Sequence, residues 1–256
     1  ISNSMVSKTI IISSFEPQYL HFFNEYKIYK YKDIEYFFIK NKNIGVIQNF
    51  WQNFKKSFKN KKTKKLLIYY FQSFIFFKKY SKYYKKSIKD CLNKKYNKKI
   101  NTNEFNIINN IDEINLDKNI TYDLILFGSE YVPRSFYLKF KNTFNIHFGL
   151  LPDFKGLRAF ERMYLNDLVP YISVNELASS IDSGRILYSE SIKNKKSHNY
   201  YKKLILSHEL AYEIVYKIIN KKLKLLSNSN SYSDLFFGFE FNELMYKKLL
   251  QKIHNA

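Results

Sequence analysis

The stretch DLILFGSEYVPRSFYLKFKNTFNIHFGLLPDFKG, residues 123–156, contains two short apolar segments with a helix-like segment between them. Residues 124–127 are all apolar, and Gly128 follows them. This pattern is typical of a strand that is buried on both faces of a sheet. Pro133 suits the first turn of a helix over residues 132–140, and residues 143–148 have the composition of a second strand. This succession predicts two parallel strands joined by a helix.

The alternation of strands and helices continues on both sides of this stretch. We expect further strands at residues 8–13, 33–40, 105–108, 171–177 and 185–191, and helices at residues 157–166, 199–225 and 241–253. Strands that alternate with helices predict the α/β class, with a mostly parallel sheet flanked by helices. The predicted organisation is one domain over residues 5–226, with a Lys-rich helical insertion at 48–99. Residues 227–256 then form a small appendage, a polar linker and a helix for dimerisation or for covering the site.

The positive charge is concentrated in one segment of the chain. Residues 55–99 contain 17 Lys and one acid, and thus carry +16 of the net charge of +21. Basic surfaces bind phosphate polymers by releasing counterions. However, only four of the 43 basic residues are Arg, whose planar fork nucleic-acid recognition commonly uses. We interpret the excess of Lys as a product of AT-rich codons and expect no specific nucleic-acid partner, while weak contact of residues 55–99 with an anionic membrane surface stays open.

Other compositional features exclude several classes of protein. Hydrophobic residues make up 45% of the chain, enough for a globular core. The longest nearly uncharged apolar run, residues 66–77, is much shorter than the roughly 20 residues that span a bilayer, and the first residues lack the pattern of a signal peptide. Cys91 is the only cysteine, which excludes disulfide and multi-cysteine metal frameworks. We therefore expect a cytoplasmic protein without a transmembrane helix.

Three polar side chains lie where strands are predicted to end. Asn145 and His147 are two residues apart, which places them on the same face of an extended strand. Asp182 lies in the turn after the next predicted strand. An amide donor, an imidazole and a carboxylate suit transfer of an acyl group to an amine, because an oxyanion must be stabilised and a proton removed. Ligands of parallel sheets bind beyond the carboxyl ends of strands, so three segments are expected to meet at one edge: residues 127–131, 145–156 and 177–184.

The motif NIHFGLLPDFKG at residues 145–156, followed by IDSGRIL at residues 181–187, resembles the folate-dependent formyltransferase family. Members of that family carry N-[IFT]-H-x-[SG]-L-L-P-x-[YFW]-[RK]-G and then D-[TS]-G-x-[IL]-[LI], at nearly this separation. The resemblance covers residues 122–192. It implies a Rossmann-like formyltransferase domain that uses N10-formyltetrahydrofolate as its co-substrate and requires no metal.

The resemblance also implies a catalytic role for each of the three polar residues. The substrate amine attacks the formyl carbon, while Asn145 and protonated His147 stabilise the oxyanion. Asp182 keeps His147 oriented and charged and helps to relay the proton of the amine. The pterin pocket is implied by backbone and loop positions, namely Phe127, Gly128, Ser129, Glu130, Tyr131, Leu177, Ala178, Ser179 and Ser180.

Three parts of the sequence differ from the pattern of the family, and one of them begins at Tyr171, which stands where a strand of the family commonly has Gly. Phe148 stands where Pro is frequent, and Asn175 stands where the strand commonly ends in His. Residues 178–180 replace a common acidic D-E-G, which changes the loop that is implied to hold the folate.

The acceptor that the resemblance favours is an amino sugar linked to a nucleotide, as used for surface polysaccharides. Only 72 residues follow Gly184, too few for the β-barrel domain of members that formylate methionyl-tRNA. Members that formylate glycinamide ribonucleotide lack a Lys-rich insertion, whereas sugar N-formyltransferases tolerate such variation. Candidate contacts to the diphosphate or sugar are Arg158, Arg162 and Arg185, with surface ion pairs as the alternative. Two other functions stay open: formylation of methionyl-tRNA, glycinamide ribonucleotide or another amine, and non-catalytic binding of polyanions or membranes.

Overall fold

The computed structural model describes nine segments of the chain: residues 7–40, 86–87, 90–92, 94–96, 106–128, 132–156, 158–192, 199–226 and 243–254. Most of the Lys-rich insertion and the predicted linker lie outside these residues. Where residues 86–96 are described they are helical, and Leu92 and Tyr96 are buried in the core. The Lys-rich helical insertion at residues 48–99 stays a prediction.

Within the described residues, seven strands form one sheet in the order β3-β2-β1-β4-β5-β6-β7. The strands are β1 (Ser7–Ser14), β2 (Ile34–Ile39), β3 (Asn106–Ile108), β4 (Thr121–Phe127), β5 (Asn142–His147), β6 (Tyr171–Asn175) and β7 (Ile186–Ser191). Strands β1 to β5 are parallel to one another, whereas β6 is antiparallel to β5 and β7 is antiparallel to β6. The mostly parallel sheet predicted from the sequence is confirmed.

Helices flank the sheet, and several of them differ in length from the prediction. They are α1 (Pro17–Glu25), α2 (Arg134–Tyr137), α3 (Ala159–Leu165), α4 (Tyr200–Ile219) and α5 (Glu243–His254). The sequence pattern does not predict α1. The predicted extension of α4 to residue 225 is wrong: Lys221 has a left-handed φ of 54°, and the chain turns so that the Leu226 amide donates to the Leu187 carbonyl at 2.8 Å. The prediction of a helix through residue 140 is also wrong, since residues 138–140 continue α2 only as turns.

Both faces of the parallel strands are buried. In β1, Ile11 faces the apolar cluster formed with α1 and α4, whereas Ile10 and Ile12 face the opposite cluster, and all three are 0% exposed. This alternation follows from the two-residue period of a strand. On the first face, the ring of Phe22 in α1 stacks on that of Tyr212 in α4, with 5.3 Å between centroids. Burial on both faces anchors β1 and β4, and β4 pairs with β5, the strand that carries Asn145 and His147.

Helix α5 packs against α3 although a long stretch of sequence separates them. Leu249 is 0% exposed and lies in a cluster with Phe160 and Tyr164. Nζ of Lys252 donates to the Asp167 carboxylate at 2.6 Å and lies 5.4 Å from the centre of the Tyr164 ring. The boundary near residue 226 between a domain and an appendage stays a prediction. Among the described residues, no helix combines the length and apolar character required to cross a bilayer.

Candidate active site

The side chains of Asn145, His147 and Asp182 meet at β5. Nδ2 of Asn145 donates to Oδ1 of Asp182 at 2.9 Å, and Nδ1 of His147 lies 3.3 Å from Oδ2 of Asp182. The side chains of His147 and Asp182 are 9% and 7% exposed. The structure therefore brings together the amide, imidazole and carboxylate that the sequence predicts, while their catalytic roles stay predictions.

The route by which Asp182 reaches this site differs from the one expected. The prediction that residues 177–184 follow a strand end at the same edge as β5 is wrong. Strand β6 runs antiparallel to β5, with Asn175 opposite Asn145, so its carboxyl end points toward the start of β5. The Leu177 amide accordingly donates to the hydroxyl of Thr143 at 3.0 Å. The loop then folds back, and Asp182, with a left-handed φ of 52°, returns its carboxylate to the level of His147.

Gly184 permits this return by allowing a close approach of the backbone. A Cβ atom at this position would lie 1.9 Å from the carbonyl oxygen of Glu176. Because that oxygen belongs to the backbone, no side-chain rotation could make room. The two ends of the loop that carries Asp182 are therefore held against each other.

Asp182 is surrounded by hydrogen-bond donors. Besides Asn145 and His147, the backbone amide of Gly156 donates to Oδ2 at 2.8 Å. The Asp182 carboxylate thus accepts hydrogen bonds from a side-chain amide and a backbone amide and lies beside the His147 ring. The amide of Gly156 also ties the loop after β5 to the carboxylate.

The second ring nitrogen of His147 is bound by the backbone. Nε2 lies 2.6 Å from the carbonyl oxygen of Phe154, which can only accept, so Nε2 carries the hydrogen. Both ring nitrogens of His147 thus face oxygen atoms, which fixes the orientation of the ring. The NH₂ group of Asn145 is likewise engaged, since it also donates to Oδ1 of Asn175 at 3.1 Å. The sequence gives no signal for the Phe154 carbonyl, because a backbone oxygen is present at every position.

Ser173 fastens the loop after β5 to the sheet. Its buried hydroxyl donates to the Gly149 carbonyl at 2.7 Å and accepts from the Leu151 amide at 3.1 Å. A Cβ at Gly149 would lie 2.8 Å from Nε2 of His147, so only glycine fits beside the ring. The sequence prediction assigns no role to Ser173. The signal for such a role is a hydroxyl residue opposite His147 on the neighbouring strand. Recognising it requires the antiparallel register of β6, which the sequence does not show.

A second histidine lies behind the site but does not touch the three residues. His208 in α4 packs against Phe148, with 4.8 Å between ring centroids, and against Tyr19, with 6.0 Å. Burial lowers the pKa of His208 to about 3, so the ring is neutral near pH 7. Its Nδ1 atom has no hydrogen-bond partner within the described part of the chain. His208 therefore supports Phe148 through packing.

Solved structures of other proteins resemble the fold of this chain. No family model and no curated protein matches the sequence. Among solved structures, a sugar N-formyltransferase from a Shewanella species matches with a TM-score of 0.51 and 12% identity, over 97% of this chain and 88% of that one. An N-formyltransferase from Helicobacter canadensis, in complex with folinic acid and dTDP-3-aminofucose, matches with a TM-score of 0.50 and 18% identity, over 97% and 81%. A 4-N formyltransferase from Francisella tularensis matches with a TM-score of 0.50 and 15% identity, over 90% and 76%.

The chain has the formyltransferase fold. At these identities the likeness establishes the fold, and it confirms the Rossmann-like formyltransferase architecture that the motif implies. Sugar N-formyltransferases are among the proteins that share this fold.

The residues that the resemblance predicts to line a pterin pocket lie only partly within the described segments. Phe127 is 0% exposed and packs in the core, and the Gly128 carbonyl accepts from the hydroxyl of Ser14. Ser129, Glu130 and Tyr131 lie outside the described residues. Leu177 and Ala178 are half-buried, whereas Ser179 and Ser180 are exposed. The folate role of all nine positions stays a prediction.

Each of the three arginines contacts other groups of this protein. Arg158 pairs with Glu161 at 2.9 Å, and Arg185 pairs with Glu176 at 2.6 Å on the surface. Arg162 is nearly buried, lies over the ring of Phe154 and donates to the carbonyl of Lys155. A substrate role for each of them stays a prediction. In the described residues, no group of three or more His, Cys, Asp or Glu side chains could hold a metal ion.

Proposed function

We propose that this protein transfers the formyl group of N10-formyltetrahydrofolate to the amine of a nucleotide-linked amino sugar. The observation that carries the proposal is the meeting of Asn145, His147 and Asp182 around one point, in the sequence context of the formyltransferase motif. The donor and acceptor classes are supported by the Helicobacter canadensis protein of the same fold, which was crystallised with folinic acid and dTDP-3-aminofucose.

In the proposed reaction, the nitrogen of the sugar amine attacks the formyl carbon of the donor. A carbon–nitrogen bond forms to the sugar, and the carbonyl oxygen becomes an oxyanion. Collapse of this intermediate breaks the bond from the formyl carbon to N10, so the products are the N-formyl sugar and tetrahydrofolate. The proton lost by the amine ends on N10 of the leaving tetrahydrofolate.

Each polar side chain has one task in this reaction. The Asn145 amide and the Nε2–H of His147 are the donors for the oxyanion, and one such donor is worth about 10²–10³ in turnover. Asp182 stabilises the charge of His147 through their contact at 3.3 Å and accepts the amine proton on its way to N10. Both donors are bound to protein oxygens here, so the formyl oxygen must take the place of these acceptors.

Two further expectations accompany this proposal. A nucleotide-linked sugar and a folate are metabolites of the cytoplasm, where we place the reaction. Dimerisation through α5 is the oligomeric state to test, although Leu249 of this helix is buried against α3 of its own chain.

A panel of acceptors tests the proposal directly. The protein is incubated with N10-formyltetrahydrofolate and each of several nucleoside diphosphate sugars that carry a 3- or 4-amino group. Mass spectrometry reports the gain of one formyl group, and absorbance reports tetrahydrofolate. Methionyl-tRNA and glycinamide ribonucleotide are included as acceptors. Formylation of either of these acceptors, without formylation of any sugar, would overturn the assignment of an amino sugar as the acceptor. If the donor is not turned over with any amine, the proposal that the protein is a formyltransferase enzyme is overturned.

A further inference from the structure

The loop between β5 and α3 contacts both members of the His147–Asp182 pair. The Phe154 carbonyl accepts from Nε2 of His147 at 2.6 Å, and the Gly156 amide donates to Asp182 at 2.8 Å. The first of these contacts occupies the ring nitrogen that the proposed reaction requires as a donor. The position of the Phe154 carbonyl therefore determines how His147 is presented to a substrate.

Arg162 of α3 holds this part of the loop. Its Nη2 group donates to the carbonyl of Lys155, and its guanidinium lies 5.4 Å from the centre of the Phe154 ring. The two contacts are made to the residue that binds His147 and to its immediate neighbour. Arg162 is 9% exposed, and interactions of a cation with an aromatic ring or a carbonyl are stronger when water is excluded.

We infer that Arg162 is a positioning residue that acts on His147 through the carbonyl of Phe154, rather than a contact to the diphosphate. The expected effect of Arg162 on kcat rests on the proposed function, whereas its expected effect on the orientation of the His147 ring does not. In the free protein the Phe154 carbonyl stands in for the formyl oxygen: it accepts the Nε2 hydrogen and holds the ring in one orientation. When the donor binds, one carbonyl replaces another, and the ring does not have to reorient.

Chemical modification of His147 tests the structural consequence without any substrate. Diethylpyrocarbonate acylates accessible imidazole nitrogens, and peptide mass spectrometry distinguishes His147 from the other four histidines. Arg162→Met should accelerate the modification of His147 about tenfold, because the loop then holds the Phe154 carbonyl less firmly against Nε2 of His147. Arg162→Lys, which can still donate to the Lys155 carbonyl, should accelerate it less.

A matched control removes an equivalent contact elsewhere. Nζ of Lys139 lies 5.6 Å from the centre of the Phe136 ring, and Lys139 is exposed. Lys139→Met removes this cation–ring contact and should leave the modification rate of His147 unchanged. If Arg162→Met does not fold by circular dichroism, Phe154→Ala replaces it, because it removes the ring under the guanidinium but keeps the backbone carbonyl. Modification of His147 at the wild-type rate in the folded variant would overturn the inference.

Steady-state kinetics separates positioning from substrate binding. A positioning role predicts that Arg162→Met lowers kcat about tenfold while KM for the acceptor changes less than about twofold. A rise in KM with an unchanged kcat would identify Arg162 as a substrate contact and overturn the inference. If the protein transfers no formyl group to any amine, the proposed function fails, and the modification rates still decide whether Arg162 controls access to His147.

Discussion

Nδ1 of His147 lies 3.3 Å from the carboxylate of Asp182, although the two residues come from a parallel strand and from a loop after an antiparallel one. The carboxylate also accepts hydrogen bonds from the side-chain amide of Asn145 and the backbone amide of Gly156. The Asp182 carboxylate therefore links the loop after β6 to β5 and to the loop after β5. Changes to this carboxylate should affect chemistry more than folding, because an amide side chain has nearly the same shape.

Asp182→Asn should lower formyl transfer by about 10² or more, because the proposed reaction loses the carboxylate that faces His147 and accepts the amine proton. The measurement is turnover of formyl-folate with the acceptor found in the panel. Asp33→Asn makes the same change at an exposed residue before β2 and serves as the control. Turnover of Asp182→Asn within a few-fold of wild type would contradict the assigned role.

Asn145→Ala and His147→Asn should each reduce turnover by about 10² or more, since each removes one donor to the oxyanion. Because both donors act on one oxygen atom, the double variant should lose less than the product of the two single losses. Single-turnover rates of the four proteins measure this coupling. Normal turnover of His147→Asn, or strictly multiplicative losses, would argue against a shared oxyanion.

Gly184→Ala should lower both stability and turnover, although Gly184 contacts no substrate. The new Cβ would lie 1.9 Å from the Glu176 carbonyl oxygen, so the loop that carries Asp182 must shift. We expect a loss of about 2–4 kcal/mol in the free energy of unfolding. Urea unfolding and turnover are measured together with Ser183→Ala, which changes the neighbouring residue and removes a side-chain hydrogen bond to the Ser180 carbonyl. Equal stability of Gly184→Ala and wild type would contradict the close approach.

The stability of the protein should depend on pH through His208. Its folded pKa of about 3 lies below the ordinary value of 6.5, so the unfolded chain binds more protons between these values. The stability contributed by neutral His208 is therefore complete above about pH 6.5 and is lost as the pH falls toward 3. At pH 5 the loss is about 2 kcal/mol relative to pH 7.5.

His208→Phe tests this dependence, because the phenyl ring keeps the packing against Phe148 and Tyr19 but cannot titrate. The difference in unfolding free energy between pH 7.5 and pH 5 should be smaller in the variant by about 2 kcal/mol. An identical pH dependence in the two proteins would mean that His208 is protonated without penalty in the folded state.

Local patterns in the sequence were sufficient to predict the parts of the fold that depend on neighbouring residues. The apolar segments of β4 and β5 and the spacing of Asn145 and His147 follow from the periodicity of a strand, and the structure contains both strands. Asp182 could be associated with them only through the motif. Its path could not be predicted from periodicity, because the antiparallel direction of β6 depends on pairing between distant residues.

The contacts that complete the site were beyond sequence reasoning for a different reason. The Phe154 carbonyl and the Gly156 amide are backbone groups, which carry no residue-specific signal. The end of α4 at Ile219 was likewise hidden, because apolar residues continue after it and bind to β7 instead of extending the helix. The predicted substrate role of Arg162 reflects its charge alone, whereas its surroundings include an aromatic ring and a carbonyl.

The packing of α5 on α3 has a practical consequence for work with shortened versions of this protein. Deleting residues 243–254 would uncover the apolar side of α3, where Leu249 now shields Phe160 and Tyr164. The same helix contains Arg162, so a truncated form prepared to remove a dispensable tail would also disturb the loop beside His147. Purification tags are better attached beyond His254 than substituted for this helix.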